Sequence, residues 1–401
     1  MGAPRATTTT FPWVGLFVLS ALIFTSVTSE FLPTGLLPDM AAELDVSESQ
    51  VGLLITLFAG TVVLSATPLT ALTRRYSRKS LVVVVLLVFV FGNVLAALAP
   101  NYAILAIARV IGGLAHGLFW SVVGAYSAHL VPHHQIGRAI AITSGGGTAA
   151  FVLGVPLGTA LGHALGWRLA FAVLAAIIFA LILLVVRYLP AVRHGEDLAT
   201  GEIALPMRKD PTIPGIVLVC LIVVLVMTGH NIFSTYIAPY LIGPMGVPAD
   251  NVAALLFLYG GAGVIGLVAA GVISDKFPRA GFAVTLGIAL VAVLMLGLIP
   301  ANPWLAIPAF TVWGVAFGGL PAMLHARMMR TASLRMRDNA ASYITTSFNA
   351  AIGGGALVGG ILLDRISILS LPFAYVVLAF AGLVVAVAGD AWLRRRAHAL
   401  A

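Results

Sequence analysis

Residues 108–123 read ARVIGGLAHGLFWSVV, and residues 309–324 read AFTVWGVAFGGLPAML. Gly113 and Gly117 in the first stretch fall on Gly314 and Gly318 in the second, at an offset of 201 residues. The same offset carries Thr34 onto Thr235, Pro38 onto Pro239, and Gly154 and Gly158 onto Gly355 and Gly359. It also carries the loop Thr73–Arg78 onto Ser274–Arg279. One gapless offset holding across four separate regions implies an internal duplication. Each half is then a six-helix unit, and the two units are related by an axis along a membrane normal.

The solvent follows from composition. Of 401 residues, 60% are hydrophobic and 9% are charged. A water-soluble chain of this size cannot hide so much apolar surface, whereas a bilayer accommodates it. At about 20 apolar residues per crossing, the chain divides into runs at 12–37, 49–72, 80–98, 102–129, 137–162, 169–188, 212–241, 250–273, 281–299, 303–326, 338–363 and 371–393. The expectation is an all-α membrane protein with twelve transmembrane helices in two pseudo-symmetric six-helix bundles. The N-terminal bundle spans 1–190 and the C-terminal bundle 212–401. A linker at 191–211, holding Gly195, Glu196, Asp197, Pro206 and Pro211, joins them. The first run is too long for a secretory signal core and carries Glu30 within it, so it reads as a membrane helix.

Charge placement sets the orientation. Of the 22 Lys and Arg, all but three fall on one side of this arrangement; Arg168 and Arg365 fall on the other, and Arg109 lies within a span. The positive-inside rule then puts both termini in the cytoplasm. The net charge of +8 does not point to nucleic acid, because no basic face with interleaved aromatics is present. Cys220, the single cysteine, forms no intrachain disulfide and reads as a packing residue. His133 and His134 sit in a loop on the cytoplasmic side.

Two charges remain deep in the spans, Glu30 and Arg109, and intramembrane charges usually carry function. Each lies about seven residues, roughly 10 Å, from the outer end of its helix, so the two can meet inside the first bundle. A static structural ion pair is the alternative reading. At the repeat offset they become Asn231 and Phe310. The second half thus keeps the architecture without the charges, which favours a role in proton coupling, and His116 joins them as a candidate that can relay a proton, bond substrate or simply bond a backbone carbonyl. The fourth span presents Arg109, Gly112, Gly113, His116 and Trp120 on one face; the first presents Ser26, Ser29, Glu30, Pro33 and Thr34. The seventh offers Thr228, His230, Asn231, Ser234 and Thr235, and the tenth Trp313. Lipid would penalise such faces, so they are expected to line a shared central cavity. Its His, Asn, Ser and Thr suit hydroxyl groups, and its aromatics suit a ring face. Ser26, Thr34, His116, Trp120, His230, Asn231, Thr235 and Trp313 are the candidate substrate contacts. Asp390 sits near the end of its helix beside Arg394 and reads as a snorkelling pair.

The chain resembles the major facilitator superfamily over nearly its whole length. GVISDKFPRAG (Gly271–Gly281) resembles the family's signature between the second and third helices of a bundle, here in its second-half copy. That resemblance implies gate contacts for Asp275, Lys276 and Arg279. The first-half copy has Arg74 in place of the acid, so it offers only bases, including Arg74 and Arg78. ARVIGGLAHGLFWSVV resembles the arginine-bearing helix of proton-driven exporters. GGGTAAFVLGVPLGTALG (Gly145–Gly162) resembles the antiporter signature, with Gly147, Gly154, Pro156 and Gly158 as its members. On physical grounds alone those glycines read equally well as ordinary helix packing. TSEFLPTGLLPDMAAELDVSESQVG (Thr28–Gly52), AHGLFW (Ala115–Trp120) and TGHNIFSTYIAPY (Thr228–Tyr240) look most like the sugar-efflux and arabinose-export subgroup of the drug:proton antiporters. Chloramphenicol-type exporters share much of this pattern. The resemblance implies a proton-coupled exporter of a sugar, a glycoside or a neutral drug, working as a monomer in a bacterial inner membrane without a cofactor.

Enzyme readings find no support. There is no Gly-x-Ser-x-Gly, no His-Glu-x-x-His, no phosphate-binding loop with lysine and no Cys/His cluster at metal spacing. Two alternatives from other classes remain: a membrane sensor or receptor keeping a transporter architecture, and an intramembrane enzyme using Glu30 and His116.

Overall fold

Among the described residues, twelve helices are long and apolar enough to cross a membrane, as the hydropathy pattern requires. The computed structural model describes residues 11–73, 76–131, 135–190, 210–277 and 279–400. The expectations placed on Arg74, on His133 and His134, and on linker residues 191–209 fall outside them. The first half runs α1 (Trp13–Gly35), α2 (Leu37–Leu44), α3 (Glu48–Thr73), α4 (Arg78–Ala97), α5 (Tyr102–His129), α6 (Ile136–Ala149), a π-turn (Ala150–Gly154), α7 (Val155–Leu165) and α8 (Trp167–Tyr188). The second half runs α9 (Ile213–Ser234), α10 (Ile237–Ile242), α11 (Val252–Lys276), α12 (Ala280–Leu298), α13 (Pro303–Thr331), α14 (Arg337–Arg365) and α15 (Ser370–Leu400). No strand occurs among the described residues. The fifth crossing is made of α6, the π-turn and α7 together.

The repeat extends to helix boundaries and caps. Tyr102 and Pro303 open α5 and α13, and Ile136 and Arg337 open α6 and α14, each pair 201 residues apart. Asn101 Oδ1 caps α5 by accepting the Ile104 amide at 3.0 Å, and Asn302 Oδ1 caps α13 by accepting the Trp304 amide at 3.1 Å. Such a cap contributes about 1 kcal/mol.

The structure differs from the hydropathy reading at two equivalent places. The run 12–37 breaks after Gly35, and the run 212–241 breaks after Ser234. Short helices α2 and α10 follow, with Pro38 and Pro239 near their starts. Proline suits a first turn, where its missing N–H is not needed.

In lipid, helices associate through close contact at small residues rather than through hydrophobic drive. The paired glycines do this. A Cβ at Gly113 would lie 2.6 Å from the Phe58 carbonyl on α3, and one at Gly318 would lie 2.0 Å from the Gly263 carbonyl on α11. α5 thus seats on α3, and α13 on α11, by the same device. Across the halves, α3 packs on α14, while the π-turn and α7 pack on α11. These two contacts are images of each other under the repeat. Thr56 Oγ1 donates to the Gly353 carbonyl at 2.9 Å, and Ser49 Oγ donates to Asp364 Oδ2 at 2.6 Å. Both bonds lie in the half of the molecule far from the chain ends, where α3 begins and α14 finishes.

Candidate functional site

Pro33 lies within the last turn of α1, two residues from its end. Having no N–H, it leaves the Ser29 carbonyl without its usual helical donor. Arg109 on α5 supplies one: Nη1 donates to Ser29 O and Nη2 to Glu30 O, each at 2.7 Å. The guanidinium also lies 4.4 Å from the Phe58 ring centroid. Arg109 and Glu30 do meet across the first bundle, but through the Glu30 backbone. Glu30 Oε1 and Arg109 Nε are buried without a hydrogen-bond partner.

The Glu30 carboxylate faces His116, with Oε2 3.5 Å from Nε2. His116 Nε2 also receives the Trp120 indole N–H at 2.6 Å, and His116 Nδ1 lies 2.9 Å from Ser26 Oγ. Phe58, Phe89 and Phe119 enclose the imidazole. On the neighbouring turn, Ser29 Oγ donates to Asn93 Oδ1 of α4 at 2.9 Å. Thr34 stands outside this network, with its hydroxyl bonded to Phe31 O in its own helix.

The second cluster lies inside the other bundle. The His230 ring stacks on Phe317, with centroids 3.3 Å apart. Trp313 packs against His230, Phe233, Tyr259, Phe310 and Tyr375. Two polar atoms here have no hydrogen-bond partner, His230 Nδ1 and Tyr259 OH, and the Trp313 indole N–H faces the Tyr375 hydroxyl. Each orphaned buried group costs roughly 1–3 kcal/mol. Asn231 bonds the Met227 carbonyl of its own helix, and Thr235 is buried beside it. The residues expected to line one shared cavity therefore stand as two buried clusters, one within each bundle.

Two of the glycines expected from the antiporter resemblance, Gly154 and Gly158, pack the fifth crossing onto α1. A Cβ at Gly154 would meet Thr28 Oγ1 at 2.0 Å, and one at Gly158 would meet Leu32 at 2.6 Å. Pro156 opens α7 immediately after the π-turn. Gly147 makes only ordinary contact with Ile23; its neighbour Gly146 makes the close approach, with a Cβ position 2.0 Å from the Ser20 carbonyl.

Among the gate candidates, Arg279 Nε lies 3.8 Å from Asp390 Oδ2, and Arg327 Nη2 donates to Asp390 Oδ1 at 2.8 Å. Asp390 therefore pairs with two arginines of its own bundle, and the side chain of Arg394, expected beside it, lies outside the described residues. Lys276 closes α11, exposed, and Arg78 opens α4. The backbone of Asp275 lies in α11, and its side chain is outside what the structure describes. In the first half, Tyr126 stands where the second has Arg327, and its hydroxyl donates to the Pro190 carbonyl. The same helix-to-helix tie is made by a different bond.

Sequence reasoning passed over Asn93 and Tyr375. Asn93 is a lone amide in the apolar run of α4, a signal that could have found it. Tyr375 sits in α15, a helix not expected to meet the cavity, and carries no such signal.

A family model described as Major Facilitator Superfamily matches residues 19–353 and again 219–400. A curated relative from Helicobacter pylori (strain J99 / ATCC 700824), described as a probable sugar efflux transporter, is 30% identical over 357 residues, 88% of this chain and 89% of its own. A bacterial homologue of the human lysosomal transporter Spinster, solved inward-facing and occupied, superposes with a TM-score of 0.73 at 17% identity, over 97% of this chain and 98% of its own. Its inward-facing unoccupied form gives 0.71 at 17% identity, over 94% and 95%.

Proposed function

The chain belongs to the major facilitator superfamily, and from that premise we propose that this transporter exports a neutral, hydroxyl-bearing molecule such as a sugar or glycoside in exchange for protons. Membership makes it a multi-pass membrane transporter rather than an enzyme. The observation that carries the finer reading is the division of chemistry between the bundles. The first holds the buried carboxylate of Glu30 with Arg109 and His116. The second holds His230, Trp313, Tyr259 and Tyr375 among aromatic rings, with His230 Nδ1 and Tyr259 OH unpartnered and, among the described residues, no Asp, Glu, Lys or Arg side chain at the cluster. Hydroxyls can bond these polar groups while a sugar's apolar face stacks on Trp313. The likeness to a sugar-efflux relative supports the same class.

In this reading, residues 1–190 form the proton-handling bundle and residues 212–401 the substrate-binding bundle, joined by the linker 191–211. Both termini face the cytoplasm of a bacterium, the protein sits in the inner membrane, and a monomer suffices. Asp275, Lys276 and Arg279, with Arg74 and Arg78 opposite, serve the cytoplasmic gate. Everted vesicles test the function. A labelled glycoside accumulates when a pH gradient is imposed, and Trp313→Ala and His230→Ala abolish accumulation at wild-type expression. Accumulation of only multiply charged anions, or none that responds to the gradient, refutes the reading; gradient-driven accumulation of chloramphenicol alone moves the substrate to neutral drugs.

A further inference from the structure

His116 and Trp120 stand one turn apart on the same face of α5. The indole N–H can only donate, and it donates to His116 Nε2 at 2.6 Å. Nε2 therefore presents its lone pair, and the neutral ring carries its proton on Nδ1, where Ser26 Oγ accepts at 2.9 Å. One indole bond thus fixes the tautomer of a histidine. Glu30 Oε2 lies 3.5 Å from the same Nε2, outside bonding reach, and finds the only lone pair there already taken. The charged groups facing the imidazole are Glu30 from α1 and Arg109 from α5; α3 and α4 contribute the rings of Phe58 and Phe89. His116 is 2% exposed, whereas Trp120 is only partly buried. The indole is the member of the pair that a moving helix or an arriving substrate can reach.

We propose that Trp120 is a positioning residue that withholds His116 from Glu30, and that withdrawal of its indole opens a proton relay from Glu30 through His116 to Ser26. This rests on the proton-coupled reading above. With Nε2 free, the Glu30 carboxyl passes its proton to Nε2. The imidazolium passes its Nδ1 proton to Ser26 Oγ as the Ser26 hydroxyl proton leaves to water. The ring is left with its proton on Nε2, and it returns to the starting tautomer by giving that proton to water and taking one from water at Nδ1. One proton enters at Glu30 and one leaves at Ser26. Ser26 lies four residues, about 6 Å of helix rise, nearer the end that carries the chain termini, so the relay runs from the membrane interior toward that end. The bond between Trp120 and His116 keeps the path shut while no substrate is engaged.

The test measures substrate-free proton leak into proteoliposomes under a pH gradient, alongside gradient-driven substrate transport. Trp120→Phe removes the donor and keeps the ring. Its leak is expected to rise about fivefold, the effect of one net hydrogen bond, and Glu30→Gln added to it returns the leak to baseline. A wild type that couples to the gradient, together with a Trp120→Phe variant of unchanged leak and unchanged pH profile, overturns the latch alone. A wild type with no gradient coupling overturns the latch and the exchange reading together. A second measurement needs no variant: 15N shifts of labelled His116 in lipid are expected to show Nδ1 protonated and Nε2 bare, and a proton found on Nε2 overturns the proposal.

Discussion

At the scale of single residues, Arg109 and Pro33 explain each other. The proline removes the amide that would bond the Ser29 carbonyl, and the arginine restores that bond from α5. At the repeat offset Pro33 becomes Ser234 and Arg109 becomes Phe310, so the second half has neither the gap nor the donor. The charge of Arg109 made it conspicuous in the sequence. Its partner was less so, because hydropathy weighs side chains and the deficit lies in a backbone carbonyl. Arg109→Gln should lose roughly 2–3 kcal/mol of stability, the range for a charged hydrogen bond in a buried setting. Pro33→Ala in that background should recover part of the loss in melting temperature without recovering transport. No recovery would show that the guanidinium serves something other than the carbonyl. Glu30→Gln is expected to leave substrate exchange intact and to abolish uphill accumulation; accumulation at the wild-type rate would remove Glu30 from the coupling scheme.

At the scale of elements, the fifth crossing shows why a wide turn belongs in a glycine-lined helix. Gly146, Gly154 and Gly158 meet α1, and Gly162 meets Leu36 just beyond its end, at spacings of four or eight residues. A regular helix advances about 100° per residue, so each four-residue step drifts about 40° and the stripe would turn away from its neighbour. The π-turn at Ala150–Gly154 takes up part of that drift. It also offers the Phe151 carbonyl to Gly260 on α11, where a Cβ would sit at 2.6 Å. Gly154→Val should cost about 1–3 kcal/mol through overpacking and lower the melting temperature, whereas Gly145→Ala, with nothing within 4 Å, should not. Equal melting temperatures for the two variants would remove the packing argument. A second element tie carries a pH signature. Asp210 accepts from the Thr212 hydroxyl and amide and from the Ser333 hydroxyl, which hold its carboxyl below the usual carboxylate range. Its contribution is therefore full above the unfolded value near ~3.9 and is lost as pH falls through the folded one. Asp210→Asn should flatten the acid limb of a melting-temperature profile; an unchanged limb would show that this carboxyl contributes nothing there.

At the scale of the molecule, duplication made the fold legible and also set the limit of what could be read. A constant offset of 201 residues gives span count, pairing and symmetry, because equivalent glycines must solve equivalent packing problems. It does not give what each half does differently at equivalent places. His116 on α5 falls on Phe317 on α13, while Ser29 on α1 falls on His230 on α9. Each bundle thus keeps one histidine between the same two helices but takes it from the opposite one. The grouping of polar residues into two buried clusters, rather than one cavity wall, depends on such side-chain directions, which polarity alone does not fix. Closure between the bundles is likewise a product of geometry. Tyr236 donates to the Ala356 carbonyl at 2.8 Å and fills the space left by Gly52 on α3 and by Gly359 and Gly360 on α14. In the first half the corresponding pair is Gly35 with Thr159, small where the other is large. Beside Tyr236, Ser49 bonds Asp364 across the bundles. Asp364 ends α14, where the helix dipole disfavours an acid, so the bond to Ser49 offsets an otherwise unfavourable placement. If this contact holds the far side shut, Ser49→Ala should shift the equilibrium toward far-side opening by about 1 kcal/mol, roughly fivefold. The reporter is Ala59→Cys, fully buried against Gly353, in a background where Cys220 is serine. An impermeant maleimide applied from the far side should label it about fivefold faster in the Ser49→Ala protein. Unchanged far-side labelling would mean that Tyr236 and its glycine pocket close the molecule without the Ser49–Asp364 bond.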